Sequence, residues 1–444
     1  MSLMRRLASQ SALIFAARIG GAGLVFLAQA LIARQWGAAG LADYLVVFAA
    51  VNLIAMAMPL GFNTIGTFFA SRYGAAGEGA MLARFMARAY LQIGLVALGL
   101  ALLATPLLPL LGAAGAVLLA HLPQLLLIAA GTAMVWVSGA VLVGLRRPFA
   151  GLLADGVVRP LAIGLALFLA LLLSPGGQGL GLLLWIFAGL YGLVAIGHLT
   201  IALRSVRALP RTDVAARPGE AARWWRLALP WAIVGLATDF FFDIDLLILS
   251  GLLAPEDLAV FGVAARIFGL VAFAVSAVYA LTLPDLFEAA AAPDKSRFEA
   301  RVADANLAAA GLALALLVGV ILGGPLLFML FGPEFASGAA PLVVLCLGLL
   351  IRAGFGPAAL ILSMRDRPWA GVPAVGLGLC ALVLANLVLV PAFGLMGAAL
   401  AALLATTLWS AANWLVARRL LGIDVSILAR LRRGPAPGNA RSGA

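Results

Sequence analysis

The chain has 444 residues, 64% of them hydrophobic and 11% charged, with a mean hydropathy of +1.13. A soluble domain carries about 25% charged residues, so a soluble fold is excluded. The net charge of +11 would suggest nucleic acid in a soluble protein, but in a membrane chain such a bias sets topology.

Uncharged runs extend from Ala89 to Leu145, from Pro160 to Leu203 and from Pro368 to Ala417. Each is long enough for two helical spans at about 20 residues apiece. They are rich in Leu, Ala and Gly and lack the alternation of barrel strands, so helices do the spanning. Breaks at Gly/Pro clusters and charged loops predict six spans near 11–35, 41–68, 87–112, 118–145, 157–174 and 181–204. Six more follow near 227–252, 258–284, 303–332, 336–362, 370–391 and 394–417. Ala28-Gln29-Ala30 resembles a signal-peptidase site, but Arg18 interrupts the apolar run before it, so span 1 reads as uncleaved.

Basic residues fall in alternate connections: Arg5 and Arg6, Arg72 to Arg88, Arg146 to Arg159, and Arg204 to Arg226. The alternation continues through Lys295 to Arg301, Arg365 with Arg367, and Arg418 onward. The positive-inside rule then puts both termini in the cytoplasm. The connections on the opposite side, such as Ser174 to Gly179, are too short for a folded domain. These features predict an N-terminal six-helix lobe at 1–204, a cytoplasmic linker at 205–226, a C-terminal six-helix lobe at 227–417 and a cytoplasmic basic tail at 418–444. The tail is rich in Gly, Pro and Ala from Arg430 and is expected to be disordered.

The two lobes repeat. GLADYLVVFA from Gly40 compares with DLAVFGVAAR from Asp257, and Ala83-Arg84 matches Ala300-Arg301 at the same offset. PLLPLLG from Pro106 matches PLLFMLFG from Pro325, and LRRP ending at Pro148 matches RDRP ending at Pro368. An even number of spans per lobe makes the repeat parallel, and transporters built this way bind substrate between their halves and expose it alternately. The fold class is therefore an all-α polytopic membrane protein with about twelve helices in two pseudo-symmetric bundles.

Four arginines stand apart from the topological set: Arg18, Arg34, Arg266 and Arg352. Charges in spans are costly and normally face a cavity or a partner. Span 7 carries Asp239, Asp243 and Asp245, with Asp239 and Asp243 on one face by i, i+4 spacing. Asp243 with Arg266, and Asp239 with Arg352, lie at depths that permit neutralising pairs. In the first lobe, Arg18 and Gln29 share a helical face by their spacing, as do Asn52 and Asn63. With Asp43 at the opposite membrane edge, that lobe shows no deep acid to neutralise Arg18. Arg18, Arg266 and Arg352, with Gln29, Asn52 and Asn63, are thus the substrate-binding candidates, the arginines serving as anchors for a phosphate-bearing group. Asp239 and Asp243 are the ion-coupling candidates, because a carboxylate that changes protonation alters its cost of burial between two states. Cys346 and Cys380 lie in apolar spans as small hydrophobes, and neither a metal motif nor a cofactor is expected.

Four segments resemble the polysaccharide flippases of the multidrug/oligosaccharidyl-lipid/polysaccharide exporter superfamily, in its O-antigen (Wzx-like) branch. They are LIARQWGAAGLADYLVVFAA from Leu31, AVFGVAARIFGL from Ala259 with LPDLFEAAAAPDKSRF after it, PLLFMLFGPEFASGAAPLVVLCLG from Pro325, and FGLMGAALAALL from Phe393. Ala42-Asp43 stands where the family has Phe-Gly. The resemblance implies a two-lobed, twelve-helix exporter of the bacterial inner membrane. Its cargo would be an undecaprenyl-pyrophosphate-linked oligosaccharide, moved with coupling to an ion gradient. Lipid-linked glycan, anionic membrane lipids and other polysaccharide-assembly proteins are the partners this implies, with no role for nucleic acid.

A drug or cation antiporter of the same superfamily is the alternative, and its hallmark would be acids facing a cationic compound. Here the deep acids are confined to span 7 while arginines occur in spans 1, 8 and 10. Peptidoglycan-precursor flippases look like fourteen-span proteins. A glycan polymerase or ligase would need a large outer loop, and the isolated His121 and His198 offer no catalytic pattern. No Walker-type Gly-Lys-Ser/Thr occurs.

Overall fold

The computed structural model describes residues 3–174, 179–210, 219–291, 295–365 and 367–429. Most of the short connection after Ser174, the middle of the expected linker (211–218) and the tail from Arg430 lie outside the described residues. Every regular element described is helical. Nine described segments are long and apolar enough to cross a membrane. That follows from the composition: in hydrocarbon each backbone N–H and C=O must be satisfied within its own segment.

The first unit comprises Met1–Ala259. It opens with α1 (Leu3–Ala57), interrupted at Gly37, whose φ of 74° and ψ of 177° leave the helical region. Then come α2 (Phe62–Ala76), α3 (Gly79–Leu107), the short α4 (Gly112–Ala120) and α5 (Leu122–Gly144). The segment α6 (Pro148–Leu153) runs through a π-helical turn at Ala154–Val158 into α7 (Arg159–Leu173). The unit continues with α8 (Leu180–Arg207), α9 (Glu220–Asp239) and α10 (Phe241–Leu249). Helix α5 is its central post and packs against α1, α2, α3, α6 and α8. Small residues permit the approach: a methyl group on Gly139 would stand 2.6 Å from the Gly151 carbonyl oxygen, and one on Gly151 2.7 Å from that of Gly139. Without a hydrophobic drive between spans, such close backbone packing carries helix association.

The second unit, Val260–Ala444, takes in most of α11 (Pro255–Ala291), then α12 (Lys295–Met329), α13 (Ala339–Phe355), α14 (Ala358–Met364) and α15 (Val372–Leu421). A straight helix of 50 residues would be about 75 Å long, more than twice the hydrocarbon thickness. α15 breaks at Gly394 (φ 55°, ψ −131°), and its limbs return on each other, with Gly378 against Trp409 and Gly397 against the Leu389 carbonyl. Spans 11 and 12 are these two limbs.

Local features repeat where the sequence offsets predict. Pro106 and Pro325 each lie near the end of a long helix, α3 and α12. Pro148 and Pro368 each open a helical segment at its first turn, where a missing N–H costs nothing.

Three expected spans are corrected. The span at 41–68 is broken at Pro59 to Gly61, with Leu60 at φ 48° and Gly61 at φ 86°, so Asn52 and Asn63 sit on different helices. The span expected at 157–174 begins at Pro148, because a π-turn carries the helix through residues read from their charges as a connection. Span 7 is split at Phe240 (φ −118°, ψ 23°), so Asp239 and Asp243 do not share one continuous helical face. Asp239 is exposed at the end of α9, whereas Asp243 and Asp245 are buried in α10.

Candidate functional site

In the first unit the polar centre forms around Arg159, a residue that its charge assigned to a cytoplasmic connection. The membrane-length segment Pro148–Leu173 has 26 residues, and Arg159 stands near its middle. The guanidinium is not left alone there. Nη1 lies 3.4 Å from Asp155 Oδ1, one turn earlier, and the side chains are 13% and 31% exposed, respectively. Nη2 donates to Asn52 Oδ1 at 2.9 Å. The guanidinium carbon lies 5.9 Å from the centre of the Tyr191 ring, itself stacked on Phe187 at 5.4 Å. The π-turn carries Asp155, and π-turns occur frequently at functional sites.

Arg18 packs against that turn: a methyl on Gly156 would stand 3.0 Å from its Cγ. The first lobe therefore does possess an acid within a span, Asp155, in the turn next to Arg18. Arg18 is exposed while Gln29 is 2% exposed, so the two share a spacing but not an environment. The Gln29 Oε1 has no hydrogen-bond partner among the described residues. Asn63 Nδ2 donates to Met56 Sδ at 3.1 Å, a weak acceptor, and takes no part in the Arg159 cluster. His198 Nε2 donates to the Ala150 carbonyl at 2.6 Å and ties α8 to α6.

At the polar end of the unit, the Tyr73 hydroxyl donates to Glu220 Oε1 at 2.6 Å and receives a bond from Trp224 Nε1 at 2.8 Å. Burial, then the bond to Glu220, pushes the Tyr73 phenol above its usual range, so it remains a donor. Phe62, Phe69 and Phe85 surround Trp224 edge-on.

The second unit places its arginine differently. Arg352, in the last turn of α13, borders a cavity of about 240 Å³ together with Ser276, Tyr279, Trp409, Ser410 and Asn413. Its guanidinium carbon lies 5.7 Å from the centre of the Trp409 ring, and among the described residues no carboxylate lines the cavity. Tyr279 donates to Asn306 Oδ1 at 2.7 Å. Asn306, fully buried, donates from Nδ2 to the Val425 carbonyl at 3.1 Å. One cavity wall is thus wired to residues 422–429, which pack on Leu286, Phe298 and Ile361. Asp424 holds that segment by a single oxygen, which accepts from Trp414 Nε1 at 2.9 Å, Ser426 N at 3.0 Å and Ser426 Oγ at 2.7 Å. Burial works against the Asp424 carboxylate, but these bonds and the nearby Arg418 hold it below the ordinary range. Arg266 is half-buried on α11 and is not part of this lining.

Sequence reasoning brought out Arg352 and Asn52 but passed over Arg159 and Asp155. Their i, i+4 spacing was the available signal. It was masked by reading the basic cluster from Arg146 to Arg159 as one loop.

No protein-family model and no curated sequence matches the chain. Solved structures do. An inward-facing multidrug-resistance MATE transporter of the MOP superfamily superposes with a TM-score of 0.74 at 15% identity, over 92% of this chain and 98% of that one. The lipid II flippase MurJ, in an inward closed conformation, gives 0.70 at 13% identity, over 91% and 87%. A MOP-superfamily transporter from Pyrococcus furiosus, described as having a binding pocket of reverse polarity that suggests a different function, gives 0.57 at 13%, over 92% and 94%. The chain is a multi-pass helical membrane protein with the fold of the MOP-superfamily transporters.

Proposed function

We propose that the protein is an alternating-access transporter of the bacterial inner membrane that flips an undecaprenyl-pyrophosphate-linked oligosaccharide, an O-antigen or exopolysaccharide repeat unit. The observation that carries this reading is the second-unit cavity, where Arg352 borders the same space as aromatic and amide groups and, among the described residues, no carboxylate enters the lining. Among the described lining residues no acid offers a cationic drug a counter-charge, whereas a phosphate would find a guanidinium suited to bidentate hydrogen bonding. The fold is compatible with either cargo: one similar structure is a lipid II flippase and another a multidrug transporter. Pocket polarity, not fold, has to decide between them.

On this reading Arg18, Arg266 and Arg352, with Gln29, Asn52 and Asn63, contribute to the path of the charged head group, and the lobes 1–204 and 227–417 are the moving parts. Asp239, exposed where span 7 breaks at Phe240 and accepting from Thr238 Oγ1 at 3.2 Å, is the ion-coupling group, with Asp243 behind it in the first turn of α10. Carboxylates are favoured at such a helix start.

The test is reconstitution into vesicles with a labelled undecaprenyl-pyrophosphate oligosaccharide in one arm and a drug-cation efflux assay in the other. Flipping that needs an ion gradient, with no cation efflux, is expected. Efflux without flipping would replace the reading with a drug antiporter. Pyrophosphate-lipid transport by Asp239→Asn at the wild-type rate and independent of pH would remove Asp239 from coupling.

A further inference from the structure

On α3, Arg84 and Arg88 lie one turn apart and, with Met81, Ala87, Leu91 and the Trp224 end of α9, border a concave groove of about 480 Å³. Both arginines are exposed, and among the described residues neither forms an ion pair. Arg84 has only a long contact of 3.7 Å to Met81 Sδ. Like charges one turn apart on a helix repel, so the pair is poised for an anion. Glu220 also borders the groove, but its Oε1 is engaged by the Tyr73 hydroxyl and faces Arg223 at 3.9 Å. Trp224 forms a fixed wall, 4% exposed and held by Tyr73.

Below the arginines the same helical face continues as Leu91, Leu95, Leu98 and Leu102, which are 57–69% exposed. The spacing alternates four and three from Arg84 onward, so one stripe runs from charge to hydrocarbon. From Leu91 to Leu102 it covers about 17 Å, the depth of one leaflet of a bilayer core about 30 Å thick. In an apolar 18-residue stretch of the segment Gly79–Ala120 only 11% of the residues are buried, so this face looks at lipid and not at a neighbouring helix.

We propose that the α3–α9 groove binds the phosphate of an anionic phospholipid, held between Arg84 and Arg88, with an acyl chain lying along the leucine stripe. The site is separate from the Arg352 cavity and stands whether or not the protein translocates lipid-linked glycans. Two basic groups near a lipid phosphate give an expected preference of about thirtyfold for anionic over zwitterionic lipid.

The experiment is native mass spectrometry of the delipidated full chain in detergent, titrated with phosphatidylglycerol or phosphatidylcholine of the same acyl chains. Phosphatidylglycerol should bind about thirtyfold tighter. The double change Arg84→Gln/Arg88→Gln should reduce it to the phosphatidylcholine level, Arg84→Lys/Arg88→Lys should keep most of the preference, and Arg418→Gln/Arg419→Gln should keep all of it. Equal binding of the two lipids by the wild-type chain, or a preference that survives Arg84→Gln/Arg88→Gln, would overturn the proposal. Displacement of phosphatidylglycerol by millimolar inorganic phosphate would also overturn it, by showing a free-anion site without a lipid component.

Discussion

Arg159 and Arg352 solve the same problem in opposite ways. The first unit surrounds its guanidinium with local partners: Asp155 on the preceding turn, Asn52 from α1 and the Tyr191 ring from α8. The second sets its guanidinium near the Trp409 ring at the edge of a cavity whose described lining holds no carboxylate. The Asp155 carboxylate, one turn away on the same helical segment, offsets much of the Arg159 charge, and little field is left for a ligand. At Arg352 the Trp409 ring attracts the cation through its quadrupole. Duplicated helices therefore do not imply duplicated surroundings: the first guanidinium is paired within its own helical segment and held from α1 and α8, while the second borders a cavity.

The largest expected effect sharpens this contrast. Arg352→Ala should reduce translocation of pyrophosphate-linked glycan at least about thirtyfold, as for loss of a charge that hydrogen-bonds its ligand. Translocation at the wild-type rate would detach Arg352 from the cargo.

Arg159→Ala should show the inverse pattern, with the main effect on stability. Breaking a buried pair costs about 3–5 kcal/mol, but the Asp155 side chain is 31% exposed, so solvent screens part of that and about 2 kcal/mol is expected. Denaturant unfolding of Arg159→Ala, Asp155→Ala and the double variant forms the check. The double change should cost less than the two single changes added together. Strict additivity would mean that the pair does not act as one.

The smallest effect concerns the segment behind the second cavity. The folded Asp424 carboxyl titrates below its unfolded value of about 4, so its contribution to stability is fully present above that pH. It is lost as pH falls through the lower, folded value. Thermal stability in detergent should therefore decline on acidification below about pH 4, and Asp424→Asn should weaken this component while leaving the Arg159 cluster intact. An identical pH profile in the variant would dissociate Asp424 from the loss.

Much of this molecule is legible in one dimension. The uncharged runs before Leu145 and Leu203 and after Arg367 can only be spanning helices, and Arg352 stood out because a charge among Leu and Ala has no cheap explanation. Asp155 and Arg159 were hidden by the same rule that exposed Arg352. They lie at the edge of a basic cluster, and charge density near a cluster reads as water. The i, i+11 pairing of Arg18 with Gln29 keeps one helix but not one environment, and that of Asn52 with Asn63 failed for a related reason. Helical periodicity transfers across a segment only if the helix is unbroken and its surroundings uniform. Pro59 to Gly61 interrupts the second pair, while the first ends with one residue exposed and the other buried.

Composition alone determined that this chain crosses a membrane as helices, because backbone polar groups in hydrocarbon must bond within their own segment and these stretches are too apolar to live anywhere else. The matching prolines near the ends of α3 and α12 and at the openings of two later segments likewise follow from residue order, since a ring without an N–H fits only certain turns. The tertiary structure decided what each charge meets. A π-turn carried Arg159 into mid-span beside Asp155, and a break at Phe240 separated Asp239 from Asp243. The packing of α13 on α15 put Arg352 over Trp409. Each outcome depends on which side chain arrives from another helix, and a linear pattern records spacing along one helix but not the neighbour it will meet.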